Sequence, residues 1–592
     1  MTRRAVAAAL GTLALAAGTA PAAVAAPLDT LLGACESRTS PDGAAHRICS
    51  GRVASFDGTS LDVTLTLPAR SPRRGLPLVV FLHGFLTDKR EYLSQSAAGT
   101  GPDRGGDGHK TAQWNNVWFA SRGYAVLNYS ARGQGESGGQ VGLASRELEV
   151  RDTHHLTGLL VDDRRLRIRP RRVGVLGSSY GGGQAWLLLT TRGEGVRQYG
   201  SWQSPGGRLV RLAAVVPQFT WTNLLQALLP NGRETDTPLG IGKMSVVDGL
   251  TASANTKLPS QTLAWIARLN AGEPYDNPSD PVIPEAKRAL SIDRSAAYQE
   301  GFFRALAGPR RRQRSVPVLA VQGWTDPIFP AGEAVRMYRR LRSSRRGYPV
   351  KLYLGDFEHL TAAVKLPEFR YFHRLGNRLL DRYLRGRRGK RGKRAVRVRF
   401  DARSAPTLCD PHAYGPVLRA RRLGGLGPDR LTLELGGPRQ AFSPLSDPRA
   451  AATDPVAVSS ARGRGCLTTD LPTTRGVATY DVPLDRGFTL IGMPQLRLRY
   501  STTAPDVQLN ARLWDMAPDG VQTLITRGAY REVGAQPGAT ADYPLFGNHW
   551  RIEAGHTLRL EVANSDAPYL RADNFPALTS IEDARLVLPG RD

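Results

Sequence analysis

Two hydrophobic rhythms divide the 592-residue chain. Up to about residue 384, short, almost wholly apolar runs recur at 78–82, 124–129, 173–176, 212–216, 316–321 and 350–354, unbroken at 78–82. Runs of that length with no polar face read as parallel strands buried on both sides. Helical patterns lie between them: 146–162 puts Leu148, Leu156, Leu159 and Leu160 on one face, and 114–120 reads as helix too. Residues 60–67 alternate with period two, a β-rich lead-in. From about 221 to 312 the alternation of strand and helix lapses into helical patches such as 262–269, which predicts a mostly helical cap inserted over the core. After residue 396 the rhythm changes. The segments 431–435, 496–500, 558–562 and 586–588 alternate strictly, with turn residues such as Pro518-Asp519-Gly520 between them. Short alternating strands without helical interludes predict an antiparallel sandwich of jelly-roll type.

One stretch turns this pattern into chemistry. The run ending at Leu176 meets Gly177-Ser178-Ser179-Tyr180-Gly181, and a helical segment follows. Gly-x-Ser-x-Gly between a strand and a helix is a nucleophile elbow: the glycines clear a tight turn, and the helix N-terminus aims N–H groups at the serine oxygen. Ser179 is therefore the candidate nucleophile. An aspartate just beyond a parallel strand, Asp326, and a histidine beyond the next one, His359, complete the order Ser, Asp, His that an α/β-hydrolase core imposes. Two backbone N–H groups are candidates for an oxyanion hole, that of Tyr180 after the nucleophile and that of Phe85 in the loop after the first core strand.

Competing residues fit less well. Asp356 lies too near His359 along one loop to serve as the acid; His373 sits on an amphipathic helix; His412, His549 and His556 fall in the β-rich half. His83 reads as a loop-shaping residue. Gly133-Gln134-Gly135 opens into no helix, so a turn explains it better than a dinucleotide site does. Asp515 and Asp519 also read as turn residues, and no cofactor or metal is expected, since no Cys/His spacing suits zinc.

Composition adds a setting. Arg3-Arg4 before an Ala/Leu-rich run and the small residues Ala23-Val24-Ala25 read as a secretory signal peptide over 1–26. The four cysteines suit an exported protein, with the sequence-local pairs Cys35–Cys49 and Cys409–Cys466 expected. The net charge of +28 comes mostly from arginine. It allows weak attraction to an anionic envelope, but no recognisable module suggests nucleic acid. The Gly-broken basic run at 385–396 reads as an exposed linker. The layout expected is signal peptide 1–26, core 27–220, cap 221–312, core 313–384, linker 385–396 and β-sandwich 397–592.

Two motif groups together resemble one family. A hydrolase core bearing Gly177-Ser178-Ser179-Tyr180-Gly181-Gly182 precedes a β domain with Leu513-Trp514-Asp515-Met516-Ala517-Pro518-Asp519-Gly520 and Gly555-His556-Thr557-Leu558-Arg559-Leu560. This resembles the X-prolyl dipeptidyl-peptidase and cocaine-esterase family of serine hydrolases, over nearly the whole mature chain. The resemblance implies an α/β-hydrolase core, a helical cap, a jelly roll near the site, and Ser179, Asp326 and His359 as the triad. Family members place a tyrosine hydroxyl at the oxyanion hole where this chain has Phe85. The expectation is a secreted serine hydrolase that cleaves a small ester or a short peptide through an acyl-enzyme, of X-prolyl dipeptidyl-peptidase-like type. The alternatives are a carboxylesterase, an acyltransferase with the same residues, and a non-catalytic envelope-binding protein.

Overall fold

A computed structural model describes residues 32–592 except 100–110, 255–256, 276, 278, 311, 360–364, 387–397, 411, 437–439, 444–446, 462–464, 473–475 and 576. The expected signal peptide and most of the basic linker therefore lie outside the described residues.

The first sheet begins with an antiparallel lead-in, β1 (Glu36–Thr39), β2 (Ala45–Ala54) and β3 (Ser60–Pro68). Its parallel centre follows: β4 (Leu76–Leu82), β5 (Ala125–Tyr129), β6 (Ile168–Ser178), β8 (Leu209–Gln218), β9 (Val318–Gly323) and β10 (Val350–Gly355), with β7 (Ser201–Gln203) hairpinned onto β8. In space the order is β1-β2-β3-β5-β4-β6-β8-β9-β10. The apolar runs are explained by burial on both faces. Leu78, Val80 and Leu82 of β4 enter one core, whereas Val79 and Phe81 enter another on the far side. The helices Glu149–Asp162 and Tyr180–Thr190 pack on the first face and Leu366–Leu380 on the second.

The sheet continues past the basic segment. Strand β11 (Ala402–Ser404) pairs parallel with β10, and β12 (Leu418–Ala420) pairs with β11. These residues were expected in the sandwich, but three-residue strands are too short to carry a periodic signal. Between β8 and β9 run the helices Leu224–Leu228, Met244–Ala254, Ser260–Asn270, Val282–Arg288 and Glu300–Ala307. Among the described residues the C-terminal region is β apart from the short helices Leu423–Gly425, Pro448–Ala452 and Pro455–Ala461. Two antiparallel sheets, of seven and five strands, enclose their own apolar core. The disulfides are Cys35–Cys49 and Cys409–Cys466, the local pairs expected.

This topology gathers the candidate residues. Ser179, Asp326, His359 and Phe85 each follow the carboxyl end of a parallel strand, β6, β9, β10 and β4 respectively. Neighbouring parallel strands end on the same edge, so residues scattered over 275 positions share one rim.

Candidate active site

Ser179 sits at φ 52°, ψ −117°, a conformation L-residues rarely adopt, immediately before the helix Tyr180–Thr190. Its surroundings enforce the turn. The Ser179 N–H donates to Gln218 O (3.0 Å), and Thr220 Oγ1 donates to Ser179 O (2.6 Å). The motif glycines are steric necessities. A Cβ on Gly181 would fall 2.0 Å from Leu82 O, and one on Gly177 would fall 2.5 Å from the Gly181 carbonyl.

Asp326 is buried with its side chain wholly covered. One oxygen accepts N–H bonds from Ile328 and Phe329 (3.0 Å each), and the other accepts from His359 Nδ1 at 2.7 Å. That bond leaves Nε2 to face the reaction. The rings of Phe219 and Phe329 meet the imidazole edge-on at 5.7 and 5.3 Å and fix its plane. Nε2 itself is buried and makes no hydrogen bond, so the expected Ser179–His359 bond is not formed in this structure. Ser179 and His359 nonetheless border the same cavity. Such bonds are often long in unliganded enzymes and tighten when substrate is bound.

The loop after β4 is held by a buried carboxylate. Glu91 accepts from the Gly84 N–H (2.6 Å) and Thr87 Oγ1 (2.7 Å) through one oxygen. Through the other it accepts from Ser178 Oγ (2.9 Å), next to the nucleophile; Tyr92 OH in turn donates to Ser178 Oγ (2.7 Å). Gln134 accepts from the Leu86 N–H at 2.9 Å, which gives the Gly-x-Gly turn a supporting role. The Phe85 and Tyr180 rings lie 5.7 Å apart on the cavity wall. His83 accepts from the Ala131 N–H on Nε2 (2.8 Å) and donates from Nδ1 to Gly84 O (2.7 Å). Burial lowers its pKa, so it stays neutral and shapes the loop, as expected.

The cavity over Ser179 has a volume of about 200 Å³. Phe85, Tyr180 and Phe329 line it from the core, and Trp221, Leu224, Val247, Leu250, Trp265 and Ile266 line it from the region inserted between β8 and β9. Among the described residues no Asp, Glu, Lys or Arg lines it. Three of the wall's polar groups turn inward to the protein: Tyr180 OH donates to Glu149 (2.6 Å), Trp221 Nε1 to Arg294 O (2.7 Å) and Thr251 Oγ1 to Val247 O (2.7 Å).

The competing residues are occupied elsewhere. Asp356 accepts from Lys365 and from the Leu408 N–H. His373 stacks on Trp114 and donates from Nδ1 to Ala112 O (2.9 Å), with its pKa driven down to about 3 by burial. His549 lies 2.8 Å from Ser404 Oγ, its pKa lowered to about 4 by burial, and the His412 backbone N–H donates to Asp410. Asp519 does sit in a turn, accepting from Val521 N–H (3.0 Å). Asp515 does not. It lies in the strand Asp506–Met516, accepting from His556 Nδ1 (2.7 Å) and Trp550 Nε1 (2.8 Å), so the two C-terminal motifs meet there. Glu91 escapes sequence reading because it belongs to no periodic face or motif, and Gln134 because its Gly-x-Gly setting signals only a turn.

Residues 57–361 match the family described as X-Pro dipeptidyl-peptidase (S15 family), and residues 424–582 match the X-Pro dipeptidyl-peptidase C-terminal non-catalytic domain. No sequence among the curated proteins matches the chain. Among solved structures, an aminopeptidase from a marine-sediment Thaumarchaeota archaeon superposes with a TM-score of 0.60 at 15% identity, covering 93% of this chain and 96% of that one. A CocE/NonD family hydrolase from Staphylococcus aureus gives 0.60 at 12% identity, with 94% and 96% covered. An alpha-amino acid ester hydrolase gives 0.57 at 14% identity, with 92% and 97% covered. At these identities the likeness is one of fold.

Proposed function

The chain belongs to the S15 family of X-Pro dipeptidyl-peptidases and is a serine hydrolase; from that premise we propose that it cleaves an ester or amide bond through an acyl-enzyme on Ser179. His359 Nε2 takes the hydroxyl proton as Oγ attacks the carbonyl carbon, then returns it to the departing alcohol or amine. Water, deprotonated by the same nitrogen, attacks the acyl-enzyme, releases the acid and restores the serine. Asp326 holds the tautomer and steadies the imidazolium. The N–H groups of Tyr180 and Phe85 receive the developing oxyanion, each donor worth roughly 3 kcal/mol in the transition state. Phe85 brings no hydroxyl, so the backbone must carry that duty. The observation that carries this reading is an unbonded imidazole nitrogen, its ring tied to a buried carboxylate, on the wall of the cavity that Ser179 also borders. The Arg3-Arg4 leader and the two disulfides support export.

The test is covalent labelling of purified protein with a fluorophosphonate. The label is expected on the peptide containing Ser179, absent from Ser179→Ala and slowed at least a hundredfold in His359→Gln. Labelling of a different residue, or none in folded protein, would overturn the assignment.

A further inference from the structure

We propose that the acyl half of the substrate is an uncharged apolar group, an aliphatic or arylalkyl chain held in ester linkage, and that a substrate with a free α-amino group is disfavoured. This deepens the reading above and rests on Ser179 as the nucleophile. The cavity beside Ser179 is walled by Leu224, Leu250, Trp265, Ile266 and Phe329 from both core and cap. An ammonium group entering such a wall sheds its water with no carboxylate to receive it, because among the described residues none faces the cavity. Acids behind the wall already have partners. Glu149 is sealed behind Tyr180, accepting from its hydroxyl and from the N–H groups of Gly142 and Ser145. Glu333 accepts from the N–H groups of Thr222 and Asn223. A hydrocarbon chain gains from the same surroundings, since each methylene leaves water for van der Waals contact.

Two substrate comparisons on the full-length protein test this. Methyl 3-phenylpropanoate and L-phenylalanine methyl ester differ by one amino group; at pH 6.5 the first is expected to have kcat/KM at least about thirtyfold higher. Along the p-nitrophenyl esters from acetate to hexanoate, kcat/KM should rise about fourfold per methylene, the transfer free energy of one CH₂ at full burial. Leu250 is a half-buried cap residue, so Leu250→Asp tolerates the new charge. It should flatten the chain-length series and narrow the discrimination against the amine. Equal or faster turnover of the amino ester, a flat series in the wild type, or a Leu250→Asp variant with unchanged preferences would each overturn the proposal. If a fluorophosphonate labels Ser179 while the amino ester is preferred, the substrate class is wrong and the nucleophile stands. If Ser179 takes no label, the underlying reading fails first.

Discussion

The backbone of Ser179 is strained. A non-glycine residue at φ 52°, ψ −117° costs on the order of 1–3 kcal/mol. It persists because Gln218 O and Thr220 Oγ1 clamp both sides of its peptide unit and because Gly177 and Gly181 let the turn press against Leu82. Glycine meets no steric objection there but loses more conformational freedom on folding. Ser179→Gly is therefore expected to be inactive toward every ester yet no less stable than wild type, with a gain of about 1 kcal/mol in denaturant unfolding. A clear loss of stability would mean that the turn stores no strain. Gly181→Ala is the opposite case: its Cβ would collide with backbone rather than a movable side chain, and the elbow should fail to form.

At the scale of elements, two buried glutamates brace the loops that carry the proposed catalytic groups. Glu91 links the loop after β4 to Ser178 at the end of β6, the two places that carry the proposed oxyanion donors. In Glu91→Gln one carboxylate oxygen becomes a donor facing donors. We expect kcat to fall about a hundredfold, as for a lost oxyanion donor, with KM little changed; a change confined to KM would assign Glu91 to binding instead. Glu368 supports the loop from β10 to His359, accepting from Tyr353 OH (2.6 Å) and the Asp356 N–H (3.1 Å). Burial pushes its pKa up to about 7. The unfolded chain thus releases this proton near pH 4.5 while the folded one keeps it to about 7, so stability from this group falls as pH rises between those values. Glu368→Gln has no such titration. Its stability relative to wild type should climb across that window by roughly 3 kcal/mol, read from denaturant unfolding at pH 4.5 and pH 8; a difference independent of pH would refute it. The elbow, Asp326 and His359 were legible because their signals are local: strand, breaker, polar residue. The bracing glutamates were not, because a carboxylate becomes a brace only when distant loops converge on it. Asp515 was misread for the same reason, since its partner His556 lies 41 residues away.

Over the whole molecule, the change of rhythm near residue 396 fell short of the passage from α/β to all-β, since β11 and β12 still extend the first sheet, and it did not reveal that the β region would reach the loop of the proposed catalytic acid. Three parts of the chain meet at the loop carrying Asp326. Lys243, buried in the inserted region, donates to Pro327 O (2.8 Å) and Ile328 O (3.0 Å), and Tyr569 of the C-terminal region donates to Pro327 O (2.6 Å). Both groups hold the turn whose N–H groups, at Ile328 and Phe329, orient the carboxylate. Tyr569→Phe removes one of two bonds to Pro327 O and should lower kcat about threefold. Lys243→Met also orphans Ile328 O, a buried acceptor worth about 1–3 kcal/mol, and should cost more in both kcat and stability. Because the two donors share one carbonyl, the double variant should depart from additivity by about 0.5–3 kcal/mol. Strict additivity in such a double-mutant cycle would mean that the cap and the β region support the acid loop independently, and that their meeting at Pro327 has no energetic consequence.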